Sequence, residues 1–128
     1  LADKRYSDAE NLLKELVARP EQGQARTNNL ERLAVVQLRL GKNEEALSAL
    51  NEVLKAREAG PVAALARTLE NIGDAYRALG RKGDAQASYK RARAVYDKAV
   101  VATKREQRID YQVDAGRVKQ LDEKLKLQ

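Results

Sequence analysis

At 128 residues the chain has room for one folded domain, and its 43% hydrophobic and 34% charged residues fit a well-solvated one. It contains neither Cys nor His, which excludes thiol nucleophiles, disulfides, imidazole bases and zinc sites with Cys or His ligands. The net charge is +6 and the mean hydropathy −0.66, and no run is apolar enough to span a membrane.

Phe, Trp and Met are absent and the only aromatics are five Tyr, so a core must be built from many Leu, Ala and Val side chains. Two Pro and seven Gly punctuate the sequence, and β-branched residues never alternate with period two. The composition predicts an all-α protein. The chain opens at Leu1 with no signal peptide, which reads as a processed chain or a piece excised from a longer array.

Residues 1–26 read as the second helix of a truncated repeat, with Tyr6, Ala9, Leu13 and Leu16 on its apolar stripe and Pro20 ending it. Ser7 and Glu10 have capping-box spacing, which predicts a helix start at Ser7. Residues 27–60 read as two helices around a glycine. Leu30, Leu33, Gln37 and Leu40 form the first stripe, Gly41 stands where a left-handed cap is needed, and Ala46, Leu50, Val53, Leu54 and Arg57 form the second. Gly60-Pro61 then marks a boundary, with Pro61 suited to a helix's first turn.

Residues 61–99 repeat the pattern at a constant offset of 39. The matched pairs are Leu30/Leu69, Leu33/Ile72, Ala34/Gly73, Leu40/Leu79, Gly41/Gly80, Ala46/Ala85, Leu50/Tyr89 and Val53/Ala92. Residues 100–128 read as a C-terminal helix. Tyr111, Val118 and Leu125 recur every seven residues with Leu121 between them. That stripe suits a helix capping the open end of the last repeat, or one projecting toward a partner, a dimer mate or a following domain. The apolar-free stretch Lys104-Arg105-Glu106-Gln107-Arg108 is either a solvated turn or the exposed middle of one long helix.

Small residues at Ala34 and Gly73, an aromatic at Tyr76, Ala46 and Ala85, large residues at Leu50 and Tyr89, and Ala92 together resemble the tetratricopeptide repeat. The resemblance runs from about Tyr6 to Tyr96. It implies antiparallel helix-turn-helix units stacked in a right-handed superhelix, and the 39-residue spacing looks like a longer-period variant. Two departures stand out. Gln37 replaces an aromatic, and the proline usual after the second helix is replaced by Glu58 and Asp97, which predicts second helices that run on.

The resemblance further implies a non-enzymatic scaffold whose first helices line a concave groove. The groove positions are Asn28, Glu31, Val35, Leu38 and Arg39 in one unit and Arg67, Glu70, Asn71, Asp74 and Arg77 in the next. Family members that grip a C-terminal carboxylate use Lys and Asn at defined positions; Glu31 and Val35 stand at two of these and only Asn71 matches, which argues against that ligand. Val35 and Leu38 offer an apolar spot flanked by charge, suited to a peptide or partner helix. Leu38 lies off the core stripe of Leu33 and Leu40 in this reading, so Leu38→Glu is expected to spare the fold. Self-assembly through repeat ends or the C-terminal helix is the alternative.

Residues 77–108 carry ten basic side chains against Asp84, Asp97 and Glu106, which raises a third reading, nucleic acid or an anionic membrane surface. Acids interrupt the run, and no aromatic alternates with it for base stacking, so both partners are disfavoured. No serine has a His partner, and Gly80-Arg81-Lys82-Gly83 lacks the spacing of a phosphate loop. The reading therefore calls for no enzyme, cofactor or metal, and for a soluble domain, cytoplasmic or periplasmic, with a membrane-anchored parent left open and a protein partner of unknown identity.

Overall fold

The computed structural model describes residues 2–20, 23–106 and 114–126, with the side chains of 4–20, 23–99 and 118–126. These form six helices and no strand: α1 Ala2–Ala18, α2 Gln24–Arg39, α3 Asn43–Arg57, α4 Val62–Ala78, α5 Lys82–Glu106 and α6 Asp114–Lys126. Each helix packs on the next, α5 on α6 included; the segment joining those two lies outside the described residues, as does Tyr111. The all-α helical repeat expected from the stripes is what the chain forms.

The two unit turns are built alike. Gly41 and Gly80 adopt φ of 79° and 78°, a conformation that strains any residue with a side chain. Behind each, two backbone bonds close the helix end: Lys42 N–H to Gln37 O at 2.8 Å with Gly41 N–H to Leu38 O, and Arg81 N–H to Tyr76 O at 2.8 Å with Gly80 N–H to Arg77 O. This double closure satisfies the last carbonyls of α2 and α4 and turns the chain back antiparallel. Glu44 and Glu45 then open α3, where negative charge suits the helix dipole.

Burial follows the small-residue pattern. Ala34, Ala46, Ala66, Ala75, Ala85 and Ala92 are fully buried, and Tyr89 and Tyr96 supply the bulk that the missing Phe and Trp would have given. The core falls into three clusters. One joins Leu30, Leu33 and Val53, with Leu13 and Val17 of α1 against it. The next joins Ala34, Ala46, Leu47, Leu50, Ile72 and Ala75. The third joins Ala66, Leu69, Ala85, Tyr89, Ala92, Tyr96 and Leu121. Gly73 is set by this packing: a Cβ there would lie 2.6 Å from Cδ1 of Tyr89.

Several expectations are corrected. Helix α1 already runs from Ala2, so Ser7 is inside it and caps nothing. Glu10, the supposed partner of Ser7, is instead buried and accepts bonds of 2.8 and 3.0 Å from the Lys42 ammonium. That ammonium holds the Glu10 carboxyl below the usual carboxylate range, and the carboxylate in turn pushes Lys42 up. Gln37 belongs to the same polar knot, its amide donating to Glu45 at 3.4 Å, which explains why no aromatic stands there. The absent proline lengthens only one second helix: α3 stops at Arg57 with Glu58 as its cap, whereas α5 continues through Lys104 to Glu106, past the boundary expected at residue 99. Leu38 is not off the core either; it packs on the cluster around Leu50 and Ile72.

Helix α6 packs back against the second unit. Leu121 is fully buried, and Val118 and Leu125 pack beside it on the cluster formed by α4 and α5. Asp122 adds a 3.1 Å ion pair to Arg93.

Candidate functional site

Helices α2 and α4 lie side by side and leave a cleft of about 480 Å³, lined by Asn28, Glu31, Arg32, Val35, Val36, Arg67 and Asn71. Five of the expected groove residues meet here: Asn28, Glu31, Val35, Arg67 and Asn71. Arg32 and Val36 join them because a cleft between two helices exposes two adjacent columns of α2, and the consensus positions mark one. Val35 and Val36 make the apolar wall; the other walls are amide and guanidinium.

Glu31 is the floor, with its side chain 7% exposed. Its Oε2 accepts from the Thr68 hydroxyl at 2.5 Å, and its Oε1 accepts from Arg67 Nη2 at 2.8 Å and from Arg57 Nη2 at 3.3 Å. Arg57 reaches in from α3 and also donates to Asn28 Oδ1 at 2.7 Å. A buried carboxylate with three donors is well compensated, but it has nothing left to offer a ligand. The sequence carried a signal for this: Arg57 stands on the core stripe of α3, where an unpaired charge is too costly to bury.

The other expected acids are also occupied. Lys124 of α6 places its ammonium 2.6 Å from Glu70 Oε2 and 3.1 and 3.3 Å from the Asp74 oxygens. It also sits 5.6 Å over the Tyr89 ring. The Tyr89 hydroxyl donates to Asp74 Oδ1 at 2.5 Å. Burial, reinforced by this carboxylate, pushes the Tyr89 phenol well above the usual tyrosine range. Arg39 and Arg77 are exposed at the helix ends, and neither forms an ion pair with a described residue.

Three arginines of the basic run are paired with carboxylates. Arg81 pairs with Asp84, Arg91 with Glu58 at 2.9 Å, and Arg93 with Asp97 and Asp122. Among the described residues no cluster of acidic side chains is arranged to hold a metal, and no helix is long and apolar enough to cross a membrane.

The profile of the tetratricopeptide repeat matches residues 24–98, which covers α2 through most of α5. The chain belongs to the tetratricopeptide repeat family. Members generally mediate protein–protein interactions and are typically non-enzymatic scaffolds. Neither the curated proteins nor the solved structures contain a match to the chain.

Proposed function

We propose that this tetratricopeptide repeat domain holds a segment of a protein partner in the cleft between α2 and α4. The observation that carries the proposal is the cleft itself, about 480 Å³ with an apolar wall at Val35 and Val36 facing polar groups at Asn28, Arg67 and Asn71. A few convergent polar groups around an apolar anchor are what fix and orient a bound segment. Arg39 and Arg77 flank it and would contact a longer ligand. Glu31 supports the floor, Leu38 serves the core cluster of Leu50 and Ile72, and Glu70 and Asp74 serve the α6 latch. The experiment is partner capture with a photo-crosslinking residue at Val35 or at Lys90 on α5, alongside thermal melts. Crosslinks confined to the Val35 variant support the cleft; crosslinks from Lys90 alone refute it.

A second reading rests on Leu12, a large apolar side chain 57% exposed on α1. Self-association through that face would appear as a mass that rises with concentration in light scattering and is reduced by Leu12→Glu.

A further inference from the structure

We infer that the segment held in the α2–α4 groove is acidic: a protein segment carrying carboxylate side chains beside an apolar anchor. This rests on the groove being the partner site and adds the chemistry of what it takes. By sequence the groove is nearly balanced, since Glu31, Glu70 and Asp74 offset its arginines. Folding removes that balance. Two cations come from outside the α2 and α4 columns, Arg57 from α3 and Lys124 from α6, and each lands on a groove carboxylate. The Glu31 and Glu70 side chains are then 7% and 8% exposed, with their charge spent inside the protein.

Arg32, Arg39 and Arg77 have no such partner. Each is exposed and makes no ion pair with a described residue. Arg67 is 40% exposed, beside the apolar wall. A ligand approaching the groove meets the guanidinium groups of Arg32 and Arg67 in the cleft and those of Arg39 and Arg77 in the last turns of α2 and α4, while Glu31 and Glu70 lie buried and the part-exposed Asp74 is held by Lys124. Such a field steers and retains anionic partners, and planar guanidinium groups match carboxylates with paired hydrogen bonds. A nucleic acid would also feel the charge. Yet no aromatic lines the cleft: Tyr89 is buried, and the half-buried Tyr76 lies in a separate depression with Arg81 over its ring, so bases in the cleft find nothing to stack on. The apolar wall favours a protein segment.

The test is fluorescence anisotropy with the whole domain. The probes are a labelled, amidated peptide alternating Leu and Glu, its Leu/Lys counterpart, and an oligouridylate of the same charge as the acidic peptide. The expected result is binding of the acidic peptide, strongest at low salt, with weak or no binding of the other two. Arg32→Glu and Arg39→Glu should each lower its affinity by about two- to fivefold while melts stay unchanged, and Lys90→Glu should not. Equal binding of both peptides, each lost in Val35→Glu, keeps the groove and overturns its preference for acid. Acidic-peptide binding that Lys90→Glu weakens and Arg32→Glu spares overturns the groove as well. Oligouridylate binding as tight as that of the acidic peptide overturns the protein ligand. Failure of the acidic peptide to bind overturns the inference outright.

Discussion

Gly73 and Tyr89 are expected to be energetically one unit. Gly73→Ala brings a methyl onto the Tyr89 ring, 2.6 Å from Cδ1. Overpacking of that kind costs about 1–3 kcal/mol. Against it, alanine in a helix interior gains about 1 kcal/mol over glycine, so the single change should be destabilising by up to about 2 kcal/mol. Tyr89→Leu removes the ring and its hydroxyl bond to Asp74, which should cost about 2–4 kcal/mol. With the ring gone the new methyl meets open space, as at the equivalent pair Ala34 and Leu50 of the first unit, which share one cluster. The double variant should therefore be about 1–3 kcal/mol more stable than the sum of the singles. Urea unfolding followed by far-ultraviolet circular dichroism measures all four corners of the cycle. Additivity to within about 0.5 kcal/mol would refute the reasoning, and so would a Gly73→Ala variant more stable than the parent.

Other outcomes follow from the ion pairs. Glu31→Ala leaves Arg57 buried without its carboxylate and should cost about 3–5 kcal/mol in denaturant unfolding, far beyond a surface change. Glu10, whose carboxyl is held below its ordinary value, contributes stability that is present at neutral pH and lost as pH falls through and below the usual carboxylate range; Glu10→Gln should flatten that part of the stability–pH curve. Lys124→Ala should raise hydrogen exchange in α6 while leaving α2 and α3 protected, because the latch it breaks lies on α4 and α5 alone. Leu38→Glu should lower the melting temperature, since Leu38 packs on the Leu50 cluster; a melt like the parent's would restore it to the groove.

Much of the fold was legible because its determinants are local. The 39-residue offset, the two glycines and the alanine positions each report a short-range requirement: a helix stripe, a left-handed turn, a close approach. The site was only half legible for the same reason. Consensus positions name the groove columns of α2 and α4, and Asn28, Val35, Arg67 and Asn71 do meet at the cleft. They are silent about what arrives from elsewhere. Arg57 comes from 26 residues beyond Glu31 and Lys124 from 54 beyond Glu70, and those long reaches decide which acids remain free. The capping box at Ser7 failed because a helix that starts earlier overrides a short capping motif, and Glu10 found a better partner in Lys42.

The three core clusters touch through very few residues. Leu54 and Tyr76 border both the second and the third, and Ala49 borders both the first and the second. Such a chain behaves as coupled segments in a row, each with its own melting tendency and a nearest-neighbour coupling to the next. Weakening Tyr76 should loosen that coupling and broaden the transition more than it lowers the midpoint, whereas a deep residue such as Leu50 should do the reverse. A ligand spanning α2 and α4 would act as an added coupling term across that seam. Its binding would be read not only as higher stability but as a sharper, more concerted unfolding of the two repeats.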